Sequence, residues 1–237
     1  MTILLTNDDG IDAQGLLALQ NAALSLPFAR VIIVAPASEQ SQCGHRVTTH
    51  QPLITESRSP DRYAVHGTPA DCVRVALFGL NLKPDLVLSG INHGGNMGQD
   101  LVISGTVAAA REAAYHGLPA IALSHYLIRD LPIDWTRITT WTTHLLNLIP
   151  AHTIAPGTFH NINFPHLPPG SETLPQIIPT QPARSPLNVA FATSQPQGTP
   201  NITEFFYTAP YSTRPQDPGS DVQATFSNHI SWSKLSV

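Results

Sequence analysis

The stretch TILLTNDDGIDAQGLLALQNAALSL, residues 2–26, decides the fold. Its first five residues form a short apolar run that reads as a buried strand. From Gly15 to Leu26, apolar residues recur at three- and four-residue spacings, the period of a helix with one buried face. Between strand and helix stand two adjacent carboxylates, Asp8 and Asp9. Like charges beside a poorly solvated run repel, and something must offset that cost.

The same alternation continues downstream. RVIIVAP (30–36) is a β-branched run stopped by proline, and RYAVHG (62–67) leads into TPADCVRVALFG (68–79). There Thr68 suits an N-cap and Pro69 the first helical position. DLVLSG (85–90) precedes a long glycine-rich loop, then the alanine-rich helix TVAAAREAAYHG (106–117). PAIALS (119–124) is another buried run, and WTRITTWTTHLLNLI (135–149) reads as a helix. Apolar, non-alternating strands separated by helices imply a parallel sheet covered on both faces. The expected fold is a three-layer α/β/α sandwich with a mostly parallel, Rossmann-like sheet.

Residues 1–150 are expected to form the catalytic α/β core, with 151–237 completing the same single domain. Fourteen of the 22 prolines fall between 150 and 218, which argues against a long helix there. FHNINF (159–164) and EFFYTA (204–209) read as strands, and 220–235 as a short helix with a final strand. The proline-rich segment at about 175–215 reads as an extended arm or hairpin suited to packing on a partner subunit.

Composition narrows the function. A chain of 237 residues with 42% hydrophobic and 12% charged residues reads as compact and globular. With net charge −4 and two lysines, Lys83 and Lys234, it has no basic run to track a phosphate backbone, so no stable nucleic-acid partner is expected. Two cysteines, Cys43 and Cys72, build neither a disulfide framework nor a cysteine zinc site. No signal-peptide pattern or membrane-length apolar run is visible, so the expectation is a cytoplasmic protein with no membrane partner.

Three loops carry the candidate chemistry. Asp8 and Asp9 follow the first strand, at the sheet rim where α/β proteins bind ligands. With Gly10 allowing a tight turn, they suit a hard divalent cation. The alternative is one capping and one solvated aspartate, although Asp12 is better placed to cap the following helix. The loop after the second strand offers Ser38, Ser41 and His45 as ligands, with Cys43 as a packed thiol. The third stretch, SGINHGGNMGQDLVISGTVAAAREAA (89–114), ends in Ser104, Gly105 and Thr106 at a helix start. Its N–H groups and hydroxyls form an anion cradle, unless Ser104 merely caps the helix. Walker, dinucleotide, H-E-x-x-H and G-x-S-x-G patterns are absent. A cation beside an anion cradle implies hydrolysis of a phosphate monoester by metal-activated water.

ILLTNDDGIDAQGLLAL, VAPASEQSQCGH, YAVHGTPADCV and LVLSGINHGGNMGQDLVISGTVAAAREA, in this order, resemble the survival protein SurE family of metal-dependent nucleoside monophosphate phosphatases. The likeness returns in NINFP (161–165) and GSDVQATFSNHISWSKL (219–235). It implies metal ligands at Asp8, Asp9, Ser41 and Asn92, and phosphate contacts at Asn96, Ser104, Gly105 and Thr106. Asp8, Asp9, Asn96 and Ser104 become the expected catalytic set. The resemblance further implies 5′- or 3′-nucleotidase activity on nucleoside monophosphates. It implies one Mg²⁺ or Mn²⁺ ion per subunit, with Co²⁺ a further candidate, and homodimers or homotetramers held through C-terminal segments. Two departures stand out. Arg46 replaces the family's usual serine, placing an extra positive charge near the expected substrate entrance. The segment 178–184 keeps only Thr180 and Arg184 of the usual threonine–arginine pattern. The competing readings are a non-catalytic metal-dependent nucleotide sensor and, less favoured, a phosphatase that uses Asp8 as a covalent nucleophile.

Overall fold

The computed structural model describes residues 1–171, 173–199 and 201–237. The chain opens with β1 (Thr2–Thr6), α1 (Gln14–Leu24) and β2 (Arg30–Pro36). An edge pair follows, β3 (Thr55–Ser59) and β4 (Arg62–Val65), leading into α2 (Pro69–Arg74). Next come β5 (Leu86–His93), the single turn α3 (Asp100–Ile103) and α4 (Gly105–Tyr115). β6 (Ala120–His125), α5 (Trp135–Leu148) and β7 (Thr158–Phe164) complete the alternating part. The remainder contributes β8 (Ile177–Thr180), β9 (Phe191–Ser194), β10 (Glu204–Tyr207), α6 (Asp221–Phe226) and β11 (Ile230–Ser236).

Nine strands form one sheet in the order β3-β4-β2-β1-β5-β6-β7-β11-β8. Its pairs are parallel except β3 with β4 and β7 with β11. Side chains alternate across a strand, so β1 feeds both layers. Ile3 and Leu5 pack with Leu16 and Leu19 of α1 and Ile138 and Trp141 of α5. Leu4 points the other way, into Val73 of α2 and Val107 of α4. The three-layer sandwich follows from that division.

From β1 the chain runs outward through β2 and β4, then crosses back to place β5 on the other flank of β1. The sheet therefore reverses its winding between β1 and β5, and the loops leaving these strands splay apart into a crevice. Asp8 and Asp9 leave β1 at that point.

Several expectations need correction. Asp12 does not cap α1: the Ala13 N–H donates to Gly10 C=O (3.1 Å), and that turn moves the N-cap to Ala13, which makes no side-chain cap bond. Asp12 is left 90% exposed beside Arg62. The helix over 68–79 is α-helical only to Arg74, beyond which Val75–Gly79 widens into a π-turn. Its start matches the reading, with Thr68 and Asp71 in a reciprocal capping box and Pro69 in the first turn. The glycine-rich loop is shorter than expected, because Asn92 and His93 pair with Ser124 and His125 of β6 and extend β5. α3 then occupies part of the rest. β3, β8 and β9 were not anticipated. β3 is polar and mostly exposed, while β8 holds Pro179 at the sheet edge, where a missing N–H is tolerated. The segment 175–215 thus divides into β8, inside the main sheet, and a separate antiparallel hairpin of β9 and β10. No helix among the described residues is long and apolar enough to cross a membrane.

Candidate active site

β1 ends in a turn that fixes both carboxylates. Asn7 Nδ2 donates to Gly10 C=O (2.8 Å), and Gly10, at φ +100°, adopts a conformation that side chains resist. Asp8 is buried and accepts a hydrogen bond from the Thr106 hydroxyl at the start of α4. Burial pushes its carboxyl up to about 6; the Thr106 bond opposes this and the Asp9 charge adds to it. Asp9 accepts from the His93 N–H (3.0 Å) at the end of β5. Burial raises its carboxyl as well, with Glu39 contributing. Two carboxylates at the end of one strand, held by α4 and β5 with little to neutralise them, are an electrostatic demand for positive charge.

α4 comes unusually close to this pair. A Cβ at Gly105 would lie 2.9 Å from both Asp8 Cβ and Cys43 Sγ, so only glycine lets the helix start close over the carboxylate. Ser104 does cap the helix, its Oγ accepting from Val107 N–H (3.1 Å). The capping bond uses a lone pair and leaves the Ser104 hydroxyl proton available to an anion. Thr106 differs from the expectation, since its hydroxyl donates to Asp8 and its backbone N–H faces the same carboxylate.

The loop after β2 is tied to the same corner, with Gln40 N–H donating to Asp8 C=O (2.7 Å). Ser41 Oγ donates to Glu39 Oε1 (2.6 Å), so its lone pairs stay free for a ligand. Asp9, Glu39, Ser41 and His93 line a cavity of about 320 Å³ with Gln14 and Trp135. Asn92 donates its Nδ2 to Gly94 C=O (2.8 Å), which leaves the Oδ1 lone pairs free to accept or to ligate a cation. Asp8 and Asp9 leave β1, Ser41 lies in the loop after β2 and Asn92 near the end of β5; of the four, Asp9 and Ser41 line the cavity.

Other candidates sit elsewhere. Ser38 and Arg46 line a separate cavity of about 530 Å³ with His50 and His66, away from the cavity that holds Asp9 and Ser41. His45 is bonded to Glu112 Oε2 (2.7 Å) on α4, which spends its ring on structure. Cys43 is half-buried against Gly105 and Asp8, and burial raises its thiol. Asn96 belongs to a buried amide network. Its Nδ2 donates to Ser124 Oγ (2.8 Å), its N–H to Asn163 Oδ1 (2.8 Å), and its carbonyl accepts from Asn161 (2.9 Å). That network belongs to β6 and β7, and no bond ties Asn96 to Ser104. Glu39 and His93, which line the cavity with Asp9, stand outside the sequence candidates. Glu39 was the more legible of the two, a carboxylate two residues before Ser41.

Among the described residues, no three or more His, Cys, Asp or Glu side chains group as metal ligands. The candidate centre rests on two carboxylates with neutral oxygens, a donor set suited to hard cations. The family model described as Survival protein SurE matches residues 3–185. The chain belongs to the survival protein SurE family. A Nostoc sp. protein is 44% identical to it over the whole of both chains. The 5′-nucleotidase SurE of Paramagnetospirillum magneticum is 38% identical over 240 residues, 99% of this chain and 89% of that one. The crystal structure of the SurE protein from Aquifex aeolicus superposes with a TM-score of 0.81 at 30% identity, covering 100% of this chain and 93% of the other. In this SurE chain, the aspartate pair and the start of α4 occupy one corner of the switch-point crevice.

Proposed function

We propose that this chain is a divalent-metal-dependent phosphatase that converts nucleoside 5′-monophosphates, and 3′-monophosphates as well, to nucleoside and phosphate. The observation that carries the reading is the buried Asp8 carboxylate, beside Asp9, packed directly under the start of α4. The relatives named as 5′-nucleotidases support the substrate class. Asp8, Asp9, Ser41 and Asn92 would hold one Mg²⁺, Mn²⁺ or Co²⁺ ion. When bound, such an ion supplies Lewis-acid charge at the phosphoryl group and lowers the pKa of a coordinated water.

The protein's own groups do the rest. Ser104 O–H and the Gly105 N–H, with the Thr106 N–H shared with Asp8, would meet the equatorial phosphate oxygens, where helix-terminal donors stabilise developing negative charge. The Thr106 hydroxyl keeps Asp8 oriented, and His93 N–H does the same for Asp9. Asn96, held by Ser124 and Asn163, would reach the phosphate only if its amide left that network. Free thiols at Cys43 and Cys72 suit a cytoplasmic enzyme. We also propose a homodimer or homotetramer built through the C-terminal segments.

The test is hydrolysis of AMP and 3′-AMP with Mn²⁺ and after exhaustive chelation. Chelation should abolish turnover, and Asp8→Asn should lower kcat by a factor of at least about 100 with the fold retained. Full activity after metal removal overturns metal dependence. Saturable AMP binding with no phosphate release points to a sensor instead.

A further inference from the structure

α4 carries a second polar cluster, further along the helix from the catalytic corner. Arg111 and Tyr115 are four residues apart and share a face, and with Arg74 of α2 they line a cavity of about 680 Å³. Val102, His45, Glu112 and His116 complete the lining. Arg111 stands six residues after Gly105, about 9 Å along the helix axis. The cavity shares no lining residue with those at Asp9 and at Arg46.

Charge is unbalanced here. Glu112 is the one acidic residue in the described lining, and both its oxygens are engaged in its buried position, by Arg74 and His116 at Oε1 and by His45 at Oε2. Arg74 donates through Nε and keeps both Nη groups without a partner among the described residues. Arg111 meets no carboxylate among those residues. Its Nη2 donates to Leu101 C=O (2.9 Å), and its guanidinium lies 6.0 Å from the centre of the Phe159 ring. Burial lowers its pKa from the ordinary arginine value, so the fold bears a cost to keep a charge there. Two guanidiniums thus face one spent carboxylate, in a chain whose net charge is −4.

The rim is less polar. Val102 is 73% exposed and Tyr115 60% exposed, and the Tyr115 ring meets His45 edge-on at 6.0 Å. Guanidinium groups pair with phosphate oxygens through two parallel N–H bonds, which lysine does not offer. A volume of this size admits a small molecule. The lack of any basic run argues against a polynucleotide here.

We infer that this cavity is a second anion site, where Arg74 and Arg111 hold the phosphate group of a small molecule while Tyr115 and Val102 meet its aromatic or apolar body. The inference goes beyond the nucleotidase reading and does not depend on it. The framework joins the two sites: Arg111 holds Leu101 C=O ahead of Ser104, and Glu112 holds His45 in the loop of Ser41.

The test is equilibrium dialysis of the full chain, with Mn²⁺ and after chelation. The probes are inorganic phosphate and phenylphosphonate, which adds an aromatic body and cannot be hydrolysed to phosphate. Saturable binding of both should persist without metal and be tighter for phenylphosphonate. Arg74→Gln and Arg111→Gln should each weaken it about tenfold. Tyr115→Ala should remove the preference for phenylphosphonate, and Ser104→Ala should change neither constant. No metal-independent binding below about 10 mM, or binding insensitive to both arginines, overturns the site. Equal weakening by Ser104→Ala puts the anion in the catalytic cradle and overturns it too. Should a thermal melt show that the arginine variants do not fold, Tyr115→Ala decides: a lost preference upholds the site and a retained one overturns it.

Discussion

A methyl group added at Gly105 would sit 2.9 Å from Asp8 Cβ and from Cys43 Sγ, closer than packed carbons tolerate. Helix propensity alone would favour the change, since alanine is the better helix former. The Gly105→Ala variant is therefore expected to keep its fold and to lose at least about tenfold in kcat/KM for AMP, because shifts of about an ångström at a reacting centre are costly. Steady-state kinetics beside a thermal melt would check this, and wild-type kinetics would refute the tight approach. The acidic pair was legible because both residues stand at the end of an apolar run. The role of Thr106 as a donor to Asp8 was not, because the two are 98 residues apart.

Glu112 shows what α4 does as an element. It is buried, and it accepts from Arg74 Nε (2.6 Å) on α2, His45 Nε2 (2.7 Å) on the loop after β2, and His116 Nε2 (3.0 Å). One carboxylate thus fastens the loop that carries Ser41 to the helix that starts at Gly105. Burial alone would raise its pKa; the bonds from His45, Arg74 and His116 outweigh that and hold it down at about 2. A carboxylate with a lowered folded pKa stabilises fully above its unfolded value, near 4.5, and loses that contribution as pH falls toward 2. Glu112→Gln is expected to cost about 1–3 kcal/mol at pH 7, with a shallower loss of stability below pH 4.5. Urea titrations of both proteins at pH 7 and pH 3.5 would measure it; parallel pH curves would remove Glu112 from this role. His45 was misread as a ligand because its partner lies 67 residues downstream.

The hairpin of β9 and β10 stands apart from the main sheet. Phe191, Phe205, Phe206 and Tyr207 on it are each more than half exposed. An isolated two-stranded hairpin is marginal in water, and an aromatic-rich one is a hazard unless another surface covers it. The proposed homodimer or homotetramer would supply that cover. Phe206→Asp should reduce the sedimenting mass, and an unchanged mass in analytical ultracentrifugation would exclude the hairpin as the assembly surface. The main sheet itself is less sensitive to single residues, since Leu4, Leu5 and their neighbours bury both faces around the β1–β5 switch point.

Strand–helix alternation, the caps at Thr68 and Ser104 and the acidic turn could be read from the chain itself, because each depends on neighbours within a few residues; the family could be read from several such motifs in order. Selection among equivalent side chains could not be read from local pattern, and the choice of Ser41 over Ser38 came from the family resemblance. Ser41 faces the cavity of Asp9 while Ser38 faces another, His93 rather than His45 supports the aspartates, and Asp12 loses its helix to a turn at Gly10. Those outcomes depend on strand order and on which backbone N–H lies opposite a given carboxylate. Local patterns carry no information about either, and the folded sheet supplies both at once.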